Sequence, residues 1–259
     1  MTHGRPRSRP RIHPGSVGGM RIGLRRRLPA ACSPTTATGE DVDADFWHER
    51  WQAGRIGFHQ DRVLPLLQKH WPALRLPADA RVFVPLAGKS LDMHWLAAQG
   101  HAVLGVELSP LAVEAFFAEA GLTPAIAAET DGIHHRSGGI DLVAGDVFAL
   151  ASASLDGIAA VYDRAALIAL PADLRRRYAD EVYRRLPRGC QALLITLEYP
   201  QAQMDGPPFP VDEAEVHSLF AADWHIAVLE RRDILADEPR FRDGGVTTLH
   251  TTVYRLQRP

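Results

Sequence analysis

The chain has 259 residues and a formal net charge of −2, and its composition, 46% hydrophobic and 23% charged, is that of a globular protein. Two cysteines provide neither a disulfide framework nor a CxxC metal pair, and no stretch approaches the roughly 18 apolar residues that cross a bilayer. Residues 1–41 hold eight arginines and two acidic residues, a net charge of +6, whereas the other 218 residues hold 21 basic and 29 acidic side chains, a net charge of −8. The negative charge of this larger part excludes a general nucleic-acid binder, which would carry a basic face.

Residues 1–41 form the first predicted segment. They are rich in Pro, Gly, Ser, Thr and Arg, and they contain no aromatic residue and no apolar period. Such a segment buries too little apolar surface to offset its ordering entropy, so disorder is predicted. The arginines at 25–27 interrupt the apolar run that a secretory signal needs. A basic RNA-binding tail or a transit peptide is the alternative that the charge leaves open.

The body alternates between apolar strand and helix patterns. In chain order the predicted elements are helices at 45–52 and 62–70, a strand at 81–85, a helix at 90–99, a strand at 101–107, a helix at 110–120, short strands at 125–129, 133–136 and 140–144, a strand at 157–162, a helix at 173–186, a strand at 191–198, a helix at 213–220 and strands at 224–232 and 246–255. This order predicts an α/β fold with a mostly parallel sheet, helices on both faces and an antiparallel edge. Asp45 is predicted to cap the first helix, on which Trp47 and Trp51 share one face.

Three interpretations compete for the turn after the first strand, residues 84–90 (VPLAGKS). A phosphate-binding P-loop needs glycine at position 83, where Phe83 stands, and a dinucleotide turn needs GxGxxG, of which only Gly88 is present. A nucleoside without phosphates fits better, because Glu107 ends the second strand 19 residues later and an acid at that spacing accepts hydrogen bonds from ribose hydroxyls. S-adenosylmethionine meets this requirement, and Trp51 offers its sulfonium a cation–π face. The alternative is that Glu107 is a surface acid at a strand end.

Six motifs then occur in order along the body: FWHxxW at 46–51, GFHQ at 57–60, VPLAGKSLDM at 84–93, GVELS at 105–109, YDRAAL at 162–167 and GPPFPV at 206–211. Over residues 43–258 the chain resembles the thiopurine S-methyltransferase family in its bacterial form. The resemblance implies a Rossmann-like class I methyltransferase fold, with a seven-stranded, mostly parallel sheet and an antiparallel final strand. It also implies methyl transfer from S-adenosylmethionine to the sulfur of thiopurines or other aromatic and heterocyclic thiols. Ala87 departs from the family's usual Pro-Leu-Cys-Gly, with little loss expected.

The same resemblance implies a set of site residues. The cofactor would be bound by Trp51, Leu86, Gly88, Glu107, Asp146, Val147 and Arg164. Within this set Glu107 would hold the ribose hydroxyls, and Asp146 and Val147 would border the adenine. The acceptor would be bound by Phe58, Arg164 and Arg240, and Arg164 would be the catalytic residue between cofactor and acceptor. The alternative for Arg164 is an ordinary salt bridge with Asp163 or a surface acid.

The predicted mechanism needs a thiolate acceptor, since the thiolate is the nucleophilic form of a thiol. Aromatic and heterocyclic thiols ionise near neutral pH, so no general base is assigned, and Arg164 would favour the anion by charge. His59 is expected to orient the pocket wall, with a role as base as the alternative. No metal is expected, because the adjacent His134 and His135 of a strand point to opposite faces.

The expected partner is a small-molecule thiol or metalloid acceptor, with no nucleic acid and no membrane, and the protein is expected to be a cytoplasmic monomer. Alternative acceptors at the same site are selenium or tellurium species, small thiols or a halide. A catalytically silent cofactor-binding protein is the alternative from another class. Residues 42–259 are predicted to form the methyltransferase domain. We hypothesise that translation begins at Val42, which mass spectrometry of the native amino terminus tests.

Overall fold

A computed structural model describes Met1 and residues 43–259 of the chain. The predictions of disorder over residues 1–41 and of a translation start at Val42 lie outside these residues. Residues 43–259 lie within one compact unit. Within this described part, every helix is too short or too polar to cross a membrane.

Seven helices are present in the described residues, and most are short and lie between strands. They are α1 (Ala44–Gln52), α2 (Pro65–His70), α3 (Asp92–Ala98), α4 (Pro110–Glu119), α5 (Ala172–Glu181), α6 (Glu213–Phe220) and α7 (Pro239–Asp243). Helix α1 is capped by Asp43, whose side chain accepts a hydrogen bond from the Phe46 N–H. The prediction of Asp45 as the cap is therefore wrong, because the helix begins at Ala44 and Asp45 lies in its first turn.

A single mixed sheet contains all strands of the described residues. They are β1 (Arg81–Val84), β2 (Ala102–Glu107), β3 (Ala125–Glu129), β4 (Gly132–Ser137), β5 (Ile140–Ala144), β6 (Ile158–Arg164), β7 (Gln191–Glu198), β8 (His225–Asp233) and β9 (His250–Gln257). Their order in the sheet is β3-β4-β5-β2-β1-β6-β7-β9-β8. Strands β5, β2, β1, β6 and β7 are parallel neighbours, and β9 runs antiparallel to both β7 and β8.

The predicted fold class is confirmed, and the strand count differs. Seven strands, in the order β5-β2-β1-β6-β7-β9-β8, form the expected sheet. The last strand of the chain, β9, is the reversed one. The count rises to nine because β3 and β4 form an antiparallel hairpin that pairs with β5 and extends that edge. The sequence predicted these short strands individually but offered no reason to add them to the same sheet.

Two apolar clusters cover the two faces of the sheet. One contains Phe83, Val161 and Tyr254, and the other contains Val82 and Tyr162, so alternate residues of β1 and β6 point to opposite faces. Strand β1 pairs on one side with β2, the next strand of the chain, and on the other side with β6, which comes much later. This is the topological switch point, outside which open α/β sheets bind their ligands at the strands' carboxyl ends.

Candidate functional site

A cavity of about 900 Å³ opens at this edge of the sheet. Residues at or just after five strand ends line it: Leu86, Glu107, Asp146, Arg164 and Leu197. Across from the sheet, helix α1, the segment after it and helix α7 contribute Trp47, Trp51, Phe58 and Arg240. The volume lies in the range of small-molecule sites. The cavity therefore brings together, from seven segments of the chain, eight of the nine predicted site residues; the ninth is Gly88.

Glu107 is the most firmly held group of the cavity. Its side chain is 7% exposed, and its two carboxylate oxygens accept hydrogen bonds from the Gly88 and Ser109 N–H groups, both at 2.8 Å. Burial raises the pKa of Glu107 although these backbone N–H groups act in the opposite direction. Gly88 does not line the cavity but fixes the acid that does. Each oxygen retains acceptor capacity, so the carboxylate can receive two hydroxyl groups.

The turn after β1 is strained beside Glu107. Leu86 (φ 45°) and Gly88 (φ 55°) both lie in the left-handed region, and the Ala87 N–H donates to the Val106 carbonyl at 2.8 Å. A side chain at Gly88 would meet the ring of Trp51 at 3.4 Å. A non-glycine residue in this region is uncommon and is held there by its surroundings. The turn thus presents Leu86 to the cavity and lets the Trp51 indole approach the backbone closely.

Asp146 and its neighbours form the wall beyond Glu107. The Asp146 carboxylate accepts a hydrogen bond from the Phe148 N–H at 2.9 Å, and Val147 is buried. The guanidinium of Arg177 lies 4.0 Å from the centroid of the Phe148 ring. All four side chains line the cavity. This wall combines flat apolar surface with a carboxylate, which suits an aromatic base that carries an amine.

Arg164 ends β6 and faces the opposite part of the cavity. Its guanidinium donates to the Phe58 carbonyl at 3.3 Å, and the next residue, Ala165, has a positive φ of 65°. The neighbouring Asp163 is fully buried. A salt bridge between Arg164 and Asp163 is therefore the wrong interpretation, because the Asp163 carboxylate accepts hydrogen bonds from Tyr178, Tyr183 and the Leu167 N–H instead.

An aromatic cluster covers the cavity near Arg164. The Phe58 ring lies edge-on to Trp47 and Trp51, with centroids 5.7 and 5.6 Å apart. Arg240 of α7 lies on the same side and donates to the Pro207 carbonyl at 3.4 Å. Trp47 is a lining residue that the resemblance did not supply. Its i, i+4 spacing to Trp51 was the signal that could have identified it.

Asp92 is a further residue that sequence reasoning missed. It is 3% exposed, and its carboxylate accepts from the Tyr162 hydroxyl and from the Leu64 N–H, both at 2.8 Å. It therefore ties the segment after β1 to β6 and to the start of α2. No sequence signal pointed to this role, since both partners are distant along the chain.

The histidines considered from the sequence lie in two places, His59 near Arg164 and the pair His134 and His135 on β4. His59 is not among the described residues that line the cavity, and burial, followed by the charge of Lys89, lowers its pKa. His134 on β4 lies 3.0 Å from Asp131 and 2.9 Å from Asp141. One ligand atom each from Glu129, Asp131 and His134 lies within 4.8 Å of the others, a spacing that could hold a metal ion on the hairpin. The absence of a metal stays a prediction.

Two methyltransferases of known structure have a fold similar to that of this chain. A 1,6-didemethyltoxoflavin-N1-methyltransferase of Burkholderia thailandensis, solved with 1,6-didemethyltoxoflavin and S-adenosylhomocysteine, has a TM-score of 0.55 at 19% identity, over 92% of this chain and 98% of that one. A SAM-dependent methyltransferase from Anabaena variabilis has a TM-score of 0.56 at 14% identity, over 83% of this chain and 95% of that one. At these identities the likeness shows the fold alone.

Sequence comparison is more specific. The family model described as thiopurine S-methyltransferase (TPMT) matches residues 42–259. The thiopurine S-methyltransferase of Xanthomonas campestris pv. campestris (strain 8004) is 63% identical over 217 residues, which cover 84% of this chain and 100% of that protein. The corresponding protein of Bordetella parapertussis (strain 12822) is 60% identical over 84% of this chain and 99% of its own length. The chain therefore belongs to the thiopurine S-methyltransferase family.

Proposed function

We propose that this protein transfers the methyl group of S-adenosylmethionine to the sulfur of thiopurines or other aromatic and heterocyclic thiols. One observation carries the proposal. In a chain of this family, a single cavity joins a buried carboxylate, Glu107, to an arginine at another strand end, Arg164. The carboxylate suits a ribose, and the arginine suits an anionic sulfur, so donor and acceptor can meet in one cavity.

The cofactor part of the cavity fits the donor by the chemistry of its groups. Glu107 would accept hydrogen bonds from the ribose hydroxyls, and Leu86 would pack on the sugar's apolar side. Asp146 would accept a hydrogen bond from the adenine amine, beside Val147. The ring of Trp51 lies next to Gly88, where it offers a cation–π face to a sulfonium. When bound, S-adenosylmethionine supplies an electrophilic methyl group on that positively charged sulfur.

Arg164 acts on the acceptor. Its positive charge lowers the pKa of a thiol held beside it, so the acceptor is bound as the thiolate and its proton passes to solvent. Arg164 would thus hold the acceptor sulfur in the anionic form that can receive the methyl group. Phe58 and Arg240 would hold the acceptor ring and orient it. The aromatic cluster would shield part of the bound acceptor from water, which would strengthen its charge interaction with Arg164.

No side chain is needed as a general base. An aromatic thiol ionises near neutral pH, so we propose that His59 orients the pocket wall and does not serve as the base. The leaving group is a neutral thioether, which needs no metal to stabilise it, so we propose that no metal takes part.

We also propose that one chain in the cytoplasm suffices for activity on a small molecule. Every residue that we assign to the site belongs to the same chain and the same cavity. Light scattering during size-exclusion chromatography tests this, since a monomer that is fully active supports the proposal. Activity confined to a dimer fraction would contradict it.

The test is an acceptor panel with methyl-labelled S-adenosylmethionine. The acceptors are 6-mercaptopurine, thiophenol, selenite and tellurite, and mass spectrometry follows the label into product. We expect labelled S-methyl products from both thiols, with higher kcat/KM than for either metalloid oxyanion. Preference for the oxyanions would move the function to metalloid methylation. Binding of S-adenosylmethionine with no transfer to any acceptor would favour a silent binding protein.

A further inference from the structure

The turn between β3 and β4 lies against the segment that follows β5. A side chain at Gly145 would meet the Asp131 carbonyl oxygen at 2.7 Å. A side chain at Gly132 would likewise meet the Ala144 carbonyl oxygen at 2.7 Å. Glycine at such positions allows two stretches of backbone to approach closely. The hairpin therefore contacts the chain directly before Asp146, the first residue of the cavity wall described above.

The side chain of Asp131 holds the same segment farther along the chain. Its Oδ2 atom accepts hydrogen bonds from the Ser154 hydroxyl and from the Ala151 N–H, the latter at 3.3 Å. Asp131 thus contacts residues 145–154, the wall segment, on both sides of the part that lines the cavity. Asp131 itself is 6% exposed and is not one of the described residues that line the cavity. It therefore supports the wall from outside.

His134 on β4 fixes the carboxylate of Asp131 from the side of the sheet. The His134 Nε2 atom lies 3.0 Å from Oδ1 of Asp131, and its Nδ1 atom lies 2.9 Å from Oδ1 of Asp141 on β5. Burial acts to raise the pKa of Asp131, but the hydrogen bonds that it accepts lower this pKa to about 2. Asp131 is therefore ionised at neutral pH, and an ionised acceptor forms stronger hydrogen bonds than a neutral one.

Asp146 depends on the position of the wall segment. Its carboxylate accepts a hydrogen bond from the Phe148 N–H at 2.9 Å, a local bond that shapes the turn without setting where the turn lies. Asp131 supplies a link from this segment to the sheet through the hairpin. Arg185 supplies a second support, since it donates to the Leu150 carbonyl at 2.5 Å. Loss of Asp131 alone should therefore displace the wall segment rather than unfold it.

We propose that Asp131 is a positioning residue for the cofactor: by holding the wall segment, it places Asp146 where that side chain accepts a hydrogen bond from the adenine amine. The inference rests on the proposed function, which assigns Asp146 to that amine, and it extends the site to a residue outside the cavity. It also gives the β3–β4 hairpin, which lies beyond the expected seven-stranded sheet, a role in recognising the base.

The experiment compares two ligands that differ by one amine. They are S-adenosylhomocysteine and its purine analogue, in which hydrogen replaces the amine of the base. Both are titrated calorimetrically into the full chain after treatment with EDTA, so that no cation held by Glu129, Asp131 and His134 contributes. The variants are Asp131→Ala, Ser154→Ala and the matched control Glu129→Gln. Glu129 belongs to the same hairpin and forms an ion pair with Arg136 of β4, so the control changes the hairpin's charge without removing a bond to the wall segment.

We expect Asp131→Ala to weaken the binding of S-adenosylhomocysteine about tenfold, which is the size of one lost charge-assisted hydrogen bond. The purine analogue should weaken less than about threefold, because it has no amine for Asp146 to bind, and its binding shows that the variant is folded. KM for S-adenosylmethionine should rise about tenfold while kcat stays within about twofold, since the acceptor's residues are untouched. Ser154→Ala should show a smaller loss with the same preference, and Glu129→Gln should leave both ligands within about twofold.

Equal losses for the two ligands in Asp131→Ala would overturn the inference, since a general weakening of the fold acts on both. Unchanged binding of S-adenosylhomocysteine, equal effects of Asp131→Ala and Glu129→Gln, or a wild-type protein that binds the two ligands equally would also overturn it. Should Asp131→Ala not fold, Ser154→Ala decides by the same comparison. Failure of the proposed acceptor looks different: the wild-type protein then methylates no thiol, whereas calorimetry with the two ligands still decides the role of Asp131.

Discussion

The two ends of the cavity are built in contrasting ways. At the end that we propose for the cofactor (the cofactor end), the charged group nearest the strands is an acid, Glu107, and both of its oxygens are held by backbone N–H groups of adjacent turns. At the end that we propose for the acceptor (the acceptor end), Arg164 and Arg240 are long side chains that each donate a single hydrogen bond, to the carbonyls of Phe58 and Pro207. Backbone groups at strand ends are fixed by the sheet, whereas long side chains gain order when a ligand binds. The cofactor end is therefore preorganised and the acceptor end adaptable.

This difference separates a constant partner from a variable one. A single donor can be recognised by a rigid carboxylate, because its ribose is always the same. Acceptors of several shapes require positive charge and apolar surface without a single fixed geometry. Arg164 lies between the two ends and belongs partly to each, since its backbone is at a strand end and its side chain reaches over to the Phe58 carbonyl.

The largest effect is expected on stability, at the buried Asp163, which precedes Arg164 in β6. Asp163→Ala leaves the Tyr178 and Tyr183 hydroxyls and the Leu167 N–H without their acceptor, which should cost about 3 kcal/mol of unfolding free energy. Urea denaturation measures this, with the exposed Asp79→Ala as the control. If the variant is as stable as the control, the turn that carries Arg164 is not held by this network.

The next effect is at the cofactor end. Glu107→Ala should raise the Kd of S-adenosylmethionine about 100-fold, because two hydrogen bonds to a charged group are lost. Calorimetry measures the Kd, and Glu107→Gln keeps the volume while removing the charge. The exposed Glu114→Ala on α4 is the matched control. Unchanged cofactor affinity in both Glu107 variants would remove Glu107 from the binding site.

A smaller effect is expected at Arg164. Arg164→Ala should lower kcat with thiol acceptors about tenfold and shift the pH–rate profile to higher pH, because the bound thiol loses the charge that lowers its pKa. Arg176→Ala, an exposed arginine on α5, is the control. A loss of rate with an unshifted profile would assign Arg164 to positioning alone.

The smallest effect concerns pH at the cofactor end. Burial raises the pKa of Glu107, so its carboxylate takes up a proton at a pH where an ordinary glutamate is still ionised. Protonation removes an acceptor, and the affinity for S-adenosylmethionine should therefore fall as pH decreases through that raised pKa. Calorimetry across pH measures the trend, and Glu107→Gln should show none of it. An equal trend in both proteins would assign the titration to another group.

The sequence predicted the cofactor end better than the acceptor end. Gly88 follows β1 and Glu107 ends β2, the next strand of the chain. The positions of these apolar runs were therefore enough to predict that both residues lie at one edge of the sheet. Arg164 and Arg240 come from segments far apart in the chain, and no local pattern indicates that they meet. Asp163 shows the same limit, because charge spacing suggested an ion pair with Arg164 while the fold turned the carboxylate toward two tyrosines.

The fold shows a comparable division. Strands that alternate with helices were predicted with ends within a few residues, since their apolar runs are buried on both faces. The pairing of the β3–β4 hairpin with β5 was not predicted, because it depends on neighbours in the sheet rather than on the hairpin's own residues. The cap of α1 was assigned to Asp45 instead of Asp43, since either aspartate precedes the same apolar face.

The most direct test of the two-ended cavity is a crystal structure with S-adenosylhomocysteine and 6-mercaptopurine bound together. We expect the ribose hydroxyls within hydrogen-bond distance of Glu107, and the acceptor sulfur near Arg164 with its ring against Phe58. An adenosine bound away from Glu107, or an acceptor bound away from Arg164 and Phe58, would contradict this arrangement.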